Sequence, residues 1–367
     1  MDAHAIPQYP DGCWRAWLVH PGPGIAYAVV LGVLAWGLQV VETQGLGHAV
    51  LDALILALLL GLLGRQVLGV PACARPGIRF TGKYVLEVAV ALLGTAIDLP
   101  ALLRAGPQLL LAVVLVVAVG GAASSLIGRV LGLSATLATL IAVGSAIGGN
   151  AAMAAIALVI AATAAEVASA MAATAVLGVV VVLLLPLLIP LLDFTLYQYG
   201  VLGGMTISAV PQVLAATWPV SPVSGHMGTL VKLVRVLLLG PVLLVFGCMR
   251  RTSCATRHVA LGRAVPWFVI SFLGCAIARS VDVLPSTVVE PLRELKRWLT
   301  IAAMAALGLE VHLQSVRRVG AAVIATVVLS LLVLIALSTV LIRGFGIHSW
   351  RPSALEANGD AARARST

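Results

Sequence analysis

Charge is what this chain has least of. Of 367 residues only 10% are Asp, Glu, Lys or Arg, and the acidic residues number 14. A soluble domain carries about 25% charged residues, so no large soluble domain is expected here. Aromatic residues are scarce as well, at 5%. The five cysteines, Cys13, Cys73, Cys248, Cys254 and Cys275, have neither metal-ligand spacing nor a paired framework. They read as unpaired thiols, with no metal site. No Walker A sequence is present, so ATP-driven pumping is not encoded, and no cofactor is implied. No catalytic cluster is visible, because Ser145 and Ser208 have no His and Asp arranged for nucleophilic chemistry. An enzyme is not the expectation.

What the chain has instead is apolar length. It is 61% hydrophobic, its mean hydropathy is +1.09, and runs of about 20 apolar residues recur along it. The runs are continuous rather than alternating, which excludes a β-barrel. The expectation is an all-α, multi-pass membrane protein whose partner is the lipid bilayer. Eleven hydrophobic segments are read, near 24–41, 49–67, 84–99, 108–128, 135–163, 168–192, 200–216, 226–248, 265–281, 298–312 and 320–342. Residues 1–22 form an N-terminal cytoplasmic segment without the features of a cleavable signal. Residues 23–345 form the membrane domain, and 346–367 a C-terminal tail.

The net charge of +9 sits in short loops, which points to cytoplasmic loops rather than to nucleic acid. Arg65, Arg75, Arg79 and Lys83, then Arg250, Arg251, Arg257 and Arg263, then Arg317 and Arg318 fall on one side if every segment spans. That places the N-terminus inside and the tail outside, although the tail's four arginines argue against its placement. Residues 93–106 align without gaps to 307–320, with Leu93/Leu307, Gly94/Gly308, Leu99/Leu313, Arg104/Arg318 and Gly106/Gly320 identical. On this topology the two stretches turn on opposite sides, as an inverted repeat would.

Two of the apolar segments are interrupted. The fifth contains GSAIGGNAAMAA at 144–155, and the seventh contains GGMTISAVPQ at 203–212. Glycine loosens a helix, and the amides of Asn150 and Gln212 need partners where water is scarce. Pro211 removes a backbone donor and frees carbonyls. Paired discontinuous helices expose N-termini that bind anions. Close helix packing explains Gly148 and Gly149 equally well, but Asn150 and Gln212 less well. Ser145, Gly148, Gly149, Asn150, Ser208 and Gln212 are therefore candidate substrate-binding residues.

Lys232 and Arg235 lie three apart on one helix face, about two turns into the eighth segment. Charges at that depth snorkel, pair or face a cavity. The functional reading is attraction of a small anionic substrate; the structural readings are snorkelling or an ion pair with Glu166. Glu166 is the only ionisable residue between Arg129 and Asp193. It reads either as a favourable charge at a helix N-terminus or as a proton-coupling carboxylate.

The patterns GSAIGGNAAMAA, Glu-Val-Ala at 166–168, TISAVPQVLAAT at 206–217 and GTLVKLVRVLLLGPV at 228–242 resemble a family of bacterial inner-membrane proteins named as sulfate exporters. The stretches LLGLLGRQVLG and ALLGTAIDL fit it too, so the resemblance covers roughly 50–345. The form with Val-Pro-Gln in the second motif is the nearest subgroup. Gly148 stands where that family usually has Cys, Ala151 where it has Ser, and Ser208-Ala209 where many members have His-Asp. The resemblance implies a secondary transporter of a small anion such as sulfate or a related sulfur oxyanion, working by alternating access. It also implies a bundle with inverted repeats and discontinuous helices. A proton- or sodium-coupled transporter of an organic anion, or an anion channel, is the alternative, and a homo-oligomer is compatible with any of these.

Overall fold

The computed structural model describes residues 21–46, 52–96, 106–249, 267–281, 286–311 and 319–347. Most of the aligned turns at 93–106 and 307–320, the basic loop at 250–266, the segment 1–20 and the tail from 348 onward lie outside the described residues. All regular structure among the described residues is helical. Among the described residues six helical stretches are long and apolar enough to cross a membrane: Gly22–Gln44, Pro107–Val130, Ala135–Ile160, Ala164–Leu192, Pro222–Gly247 and Ala321–Gly344. Ala53–Val67 and Trp267–Ser280 are shorter apolar helices.

The chain divides into two compact units. The first comprises residues 1–86 and 298–310 and contains α1 (Gly22–Leu46) and α2 (Ala53–Val67). Its helices meet through glycine. A β-carbon at Gly61 would lie 2.2 Å from the Ala305 carbonyl oxygen, and one at Gly308 would lie 2.2 Å from that of Leu58. Such backbone approach is how helices associate where lipid removes most of the hydrophobic drive. Arg65, in the last turn of α2, donates to the Leu309 carbonyl.

The second unit, residues 87–297 and 311–367, holds both interrupted segments. Its relevant helices are α3 (Ala135–Val143), α4 (Gly149–Ile160), α5 (Ala164–Leu184), α6 (Leu196–Thr206), α7 (Val210–Thr217), α8 (Pro222–Leu237) and α9 (Ala321–Gly344). Side chains set several of the starts. Ser134 accepts from the Leu137 amide before α3, and Ser221 accepts from that of Val223 before α8. Thr163 with Glu166 and Thr195 with Gln198 form capping boxes before α5 and α6.

The α6–α8 contact is close, again for lack of side chains. A β-carbon at Gly200 would meet the Ser224 carbonyl oxygen at 2.6 Å, and one at Gly204 would meet that of Gly228 at 2.5 Å. Gly203 faces Thr217, whose methyl would be 2.8 Å from a β-carbon there. These glycines serve helix packing, which brings the basic face of α8 against the end of α6.

Candidate functional site: two half-helix ends held by Lys232 and Arg235

The first break has a local cause. After α3 the backbone widens into a π-helical turn, Gly144–Gly148, and Gly149 then takes φ 59° and ψ −137°. Only glycine adopts that conformation readily. The helical ladder stops, and α4 starts anew.

The second break follows the same logic with different residues. α6 ends at Thr206, and Ile207 and Ala209 are extended (φ −67°, ψ 139° and φ −109°, ψ 142°). Pro211, four residues after Ile207, has no N–H with which to reach the Ile207 carbonyl, so the ladder cannot close across the gap. The two breaks touch. A β-carbon at Gly149 would lie 3.2 Å from the Ser208 carbonyl oxygen.

Carbonyls freed at both breaks need donors, since unpaired backbone groups are costly away from water. α8 supplies them. Lys232 Nζ donates to Ile147 O and Ile207 O, both at 2.9 Å. Arg235 Nε donates to Ala146 O at 2.9 Å and Nη2 to Ser145 O at 2.6 Å. Its Nη1 reaches Gly204 O at 2.8 Å and Ile207 O at 3.2 Å. Both side chains are fully buried. They neither snorkel nor pair with Glu166. Each stitches the C-terminal end of one half-helix to that of the other, where the helix dipole is negative.

Among the described residues neither cation has a carboxylate partner. A half-helix C-terminus carries about half a negative charge. Two such ends offset one of the two buried positive charges and leave a surplus. The helix starts at the same place add to it. Neither α4 nor α7 has a side chain capping its first amides, although the Gly149 N–H already donates to Gly144 O and Pro211 has none to give. Free N–H groups at a helix start, beside excess positive charge, favour an anion.

Beside the breaks lies a small cleft. Ser145, Thr206, Ile207 and Ser208 line it from the two interruptions, Thr174 and Gly178 from α5, and Val327, Leu331 and Leu334 from α9. Of these, only Ser145 and Ser208 were readable as candidates from the sequence. The Gln212 carboxamide packs on Gly178, and its buried Oε1 has no hydrogen-bond partner among the described residues. Gly148 is half-buried and Gly149 buried at the junction, whereas Asn150 is exposed and does not line the cleft. Gly144 accommodates Met153, whose methyl would stand 2.0 Å from a β-carbon.

Glu166 is elsewhere in its bonding. Its Oε1 accepts from Ser134 Oγ at 2.6 Å, and its Oε2 accepts from both the amide and the hydroxyl of Thr163 at 3.0 Å. It ties the starts of α3 and α5 together. Among the described residues no group of three His, Cys, Asp or Glu side chains is placed to hold a metal.

A family model described as Conserved hypothetical protein 698 matches residues 23–327, which include both breaks and all of α8. The chain belongs to that family. Among its relatives, a UPF0324 membrane protein of Bartonella henselae is 43% identical over 321 residues, covering 88% of this chain and 92% of the relative. One from Agrobacterium fabrum is 44% identical over 338 residues, covering 92% and 97%. A more distant one, from Oceanobacillus iheyensis, is 31% identical over 343 residues and covers 92% and 97%. No solved structure matches. With its relatives named as membrane proteins and its own long apolar helices, this member of the family is a multi-pass membrane protein.

Proposed function

We propose that the protein is a secondary-active transporter of a small anion, working by alternating access in the bacterial inner membrane, with sulfate or a related sulfur oxyanion as the leading substrate. One observation carries the reading. Two half-helices end against each other at a pair of fully buried cations, Lys232 and Arg235, that have no carboxylate partner among the described residues. Uncapped starts of α4 and α7 at the same junction supply amides for an anion. Ser145 and Ser208 supply hydroxyls in the adjoining cleft. The cations act as fixed positive potential rather than as direct ligands, because most of their donors are spent on carbonyls.

The resemblance to proteins named as sulfate exporters adds the substrate class and the outward direction. Eleven membrane segments with an inverted repeat are the topology that goes with this mechanism. A small anion would occupy the junction, and Gly149 and Gln212 would be closest to it.

Radiolabelled sulfate flux in proteoliposomes is the test. Saturable efflux by wild type that is lost in Arg235→Met protein shown to remain folded supports the reading. Absence of flux for sulfate, sulfite and thiosulfate under every imposed gradient would sink the substrate class. Conductance without saturation would make the protein a channel instead.

A further inference from the structure

Secondary transport needs a driving ion, and the two breaks bear on which one. In transporters built on broken helices, carbonyls at half-helix C-termini and in unwound backbone commonly coordinate sodium. Here the equivalent carbonyls are already engaged. Ile147 O and Ile207 O, one from each break, share the Lys232 ammonium at 2.9 Å each. Ser145 O, Ala146 O and Gly204 O are taken by Arg235, which also reaches Ile207 O. Two cationic side chains thus sit between the two half-helix ends, covalently attached to α8, and Lys232 is the compact one of the two.

We propose that Lys232 is a fixed internal cation standing where a coupling sodium ion would otherwise bind, so that anion movement through this protein is independent of sodium. An ammonium and an alkali cation carry the same charge and are both satisfied by carbonyl oxygens. The difference is that the lysine cannot leave, so the junction keeps its charge throughout a cycle without taking up an ion. Truncating Lys232 would bare the Ile147 carbonyl and leave the Ile207 carbonyl with only the 3.2 Å bond from Arg235, the two facing each other across a void. That constellation is an oxygen-lined site for a small monovalent cation. The flux consequence rests on the anion-transport reading, whereas the occupancy of the junction does not.

The test uses the purified full chain. Lys232→Ala melts below wild type in choline chloride, and either sodium or methylammonium chloride restores most of the loss in a saturable way. Potassium and choline at equal ionic strength do less. Wild type shows no saturable response to sodium, and neither does Lys296→Ala, whose ammonium sits 4.5 Å from the Trp218 ring instead. In proteoliposomes, wild-type sulfate efflux is unchanged when a sodium gradient is replaced by choline. Sodium-dependent efflux, or saturable sodium stabilisation of wild type, overturns the proposal. So does a folded Lys232→Ala that neither cation rescues. If Lys232→Ala fails to fold, the wild-type sodium titration and flux decide alone. Absence of all anion flux overturns the transport reading and leaves the melting data to judge the cation at the junction.

Discussion

The carboxamide of Gln212 occupies the space that a side chain at position 178 would need: a β-carbon on Gly178 would lie 2.1 Å from Nε2 and 2.3 Å from Oε1. Gly178 lines the cleft and Gln212 is in the first turn of α7, so this contact joins α5 to the second break. Because the crowded atoms end a flexible side chain, the backbone need not move. Gly178→Ala should therefore fold, with the helix-propensity gain of about 1 kcal/mol offsetting part of the clash. Its effect should depend on Gln212. In a Gln212→Ala background the same change should be stabilising, and a double-mutant cycle of melting temperatures reads the coupling. Additive effects would show that the amide lies elsewhere.

Arg235 makes four hydrogen bonds to carbonyls from two different half-helices, a geometry that only a planar fork reaches. Arg235→Lys keeps the charge but presents one nitrogen, so at least two carbonyls lose their donor. Each costs about 1–3 kcal/mol when left unpaired in the interior. A large fall in thermal stability is expected. The exposed Arg129 gives the comparison, since Arg129→Lys should stay within about 0.5 kcal/mol of wild type. Equal behaviour of the two variants would mean that Arg235 is not the clamp.

Some of this was legible in the chain and some was not, for physical reasons. Glycine clusters and Pro211 are local signals, and both interruptions are visible in the sequence because backbone conformation is decided within a few residues. The i,i+3 spacing likewise placed Lys232 and Arg235 on one face. Where those side chains end was not readable. Their partners are backbone oxygens of residues 145–147, 204 and 207, and a carbonyl has no residue-type signature. Gly178 and Thr174 were missed because nothing inside a long apolar run marks which face will meet a break about 30 residues further along the chain. Asn150 drew attention as an amide in an apolar run, yet it is exposed and makes no contact with the cleft. The capping pattern Thr-x-x-Glu at 163–166 was in plain sight and accounts for the bonds between Glu166 and Thr163.

Glu166 supplies a direct choice between two roles. As a cap it accepts from Thr163 and Ser134, and Glu166→Ala should lower stability by about 0.5–2 kcal/mol. Glu166→Gln keeps one acceptor oxygen and should lose less. If capping is the whole of its role, sulfate flux by Glu166→Gln keeps the pH dependence of wild type. A flattened pH profile with unchanged stability would instead assign the carboxylate to proton coupling.

Gly148 and Gly149 are adjacent in the sequence and unequal in the structure. Gly148 has φ −148° and ψ 24°, and a β-carbon there would meet Ala152 at an ordinary 3.4 Å. Gly149 has φ 59° and ψ −137°, with the Ser208 carbonyl oxygen 3.2 Å from the β-carbon position. Gly148→Ala should be tolerated in both stability and flux. Gly149→Ala has to adopt a conformation that L-residues rarely hold, at about 1–3 kcal/mol, while pressing on the other break. The chain can relieve that strain only by rotating the start of α4, which moves its free amides off the junction. Gly149→Ala should therefore lose sulfate binding out of proportion to its loss in melting temperature. Equal tolerance of alanine at both positions would mean that the left-handed turn does not set the anion site.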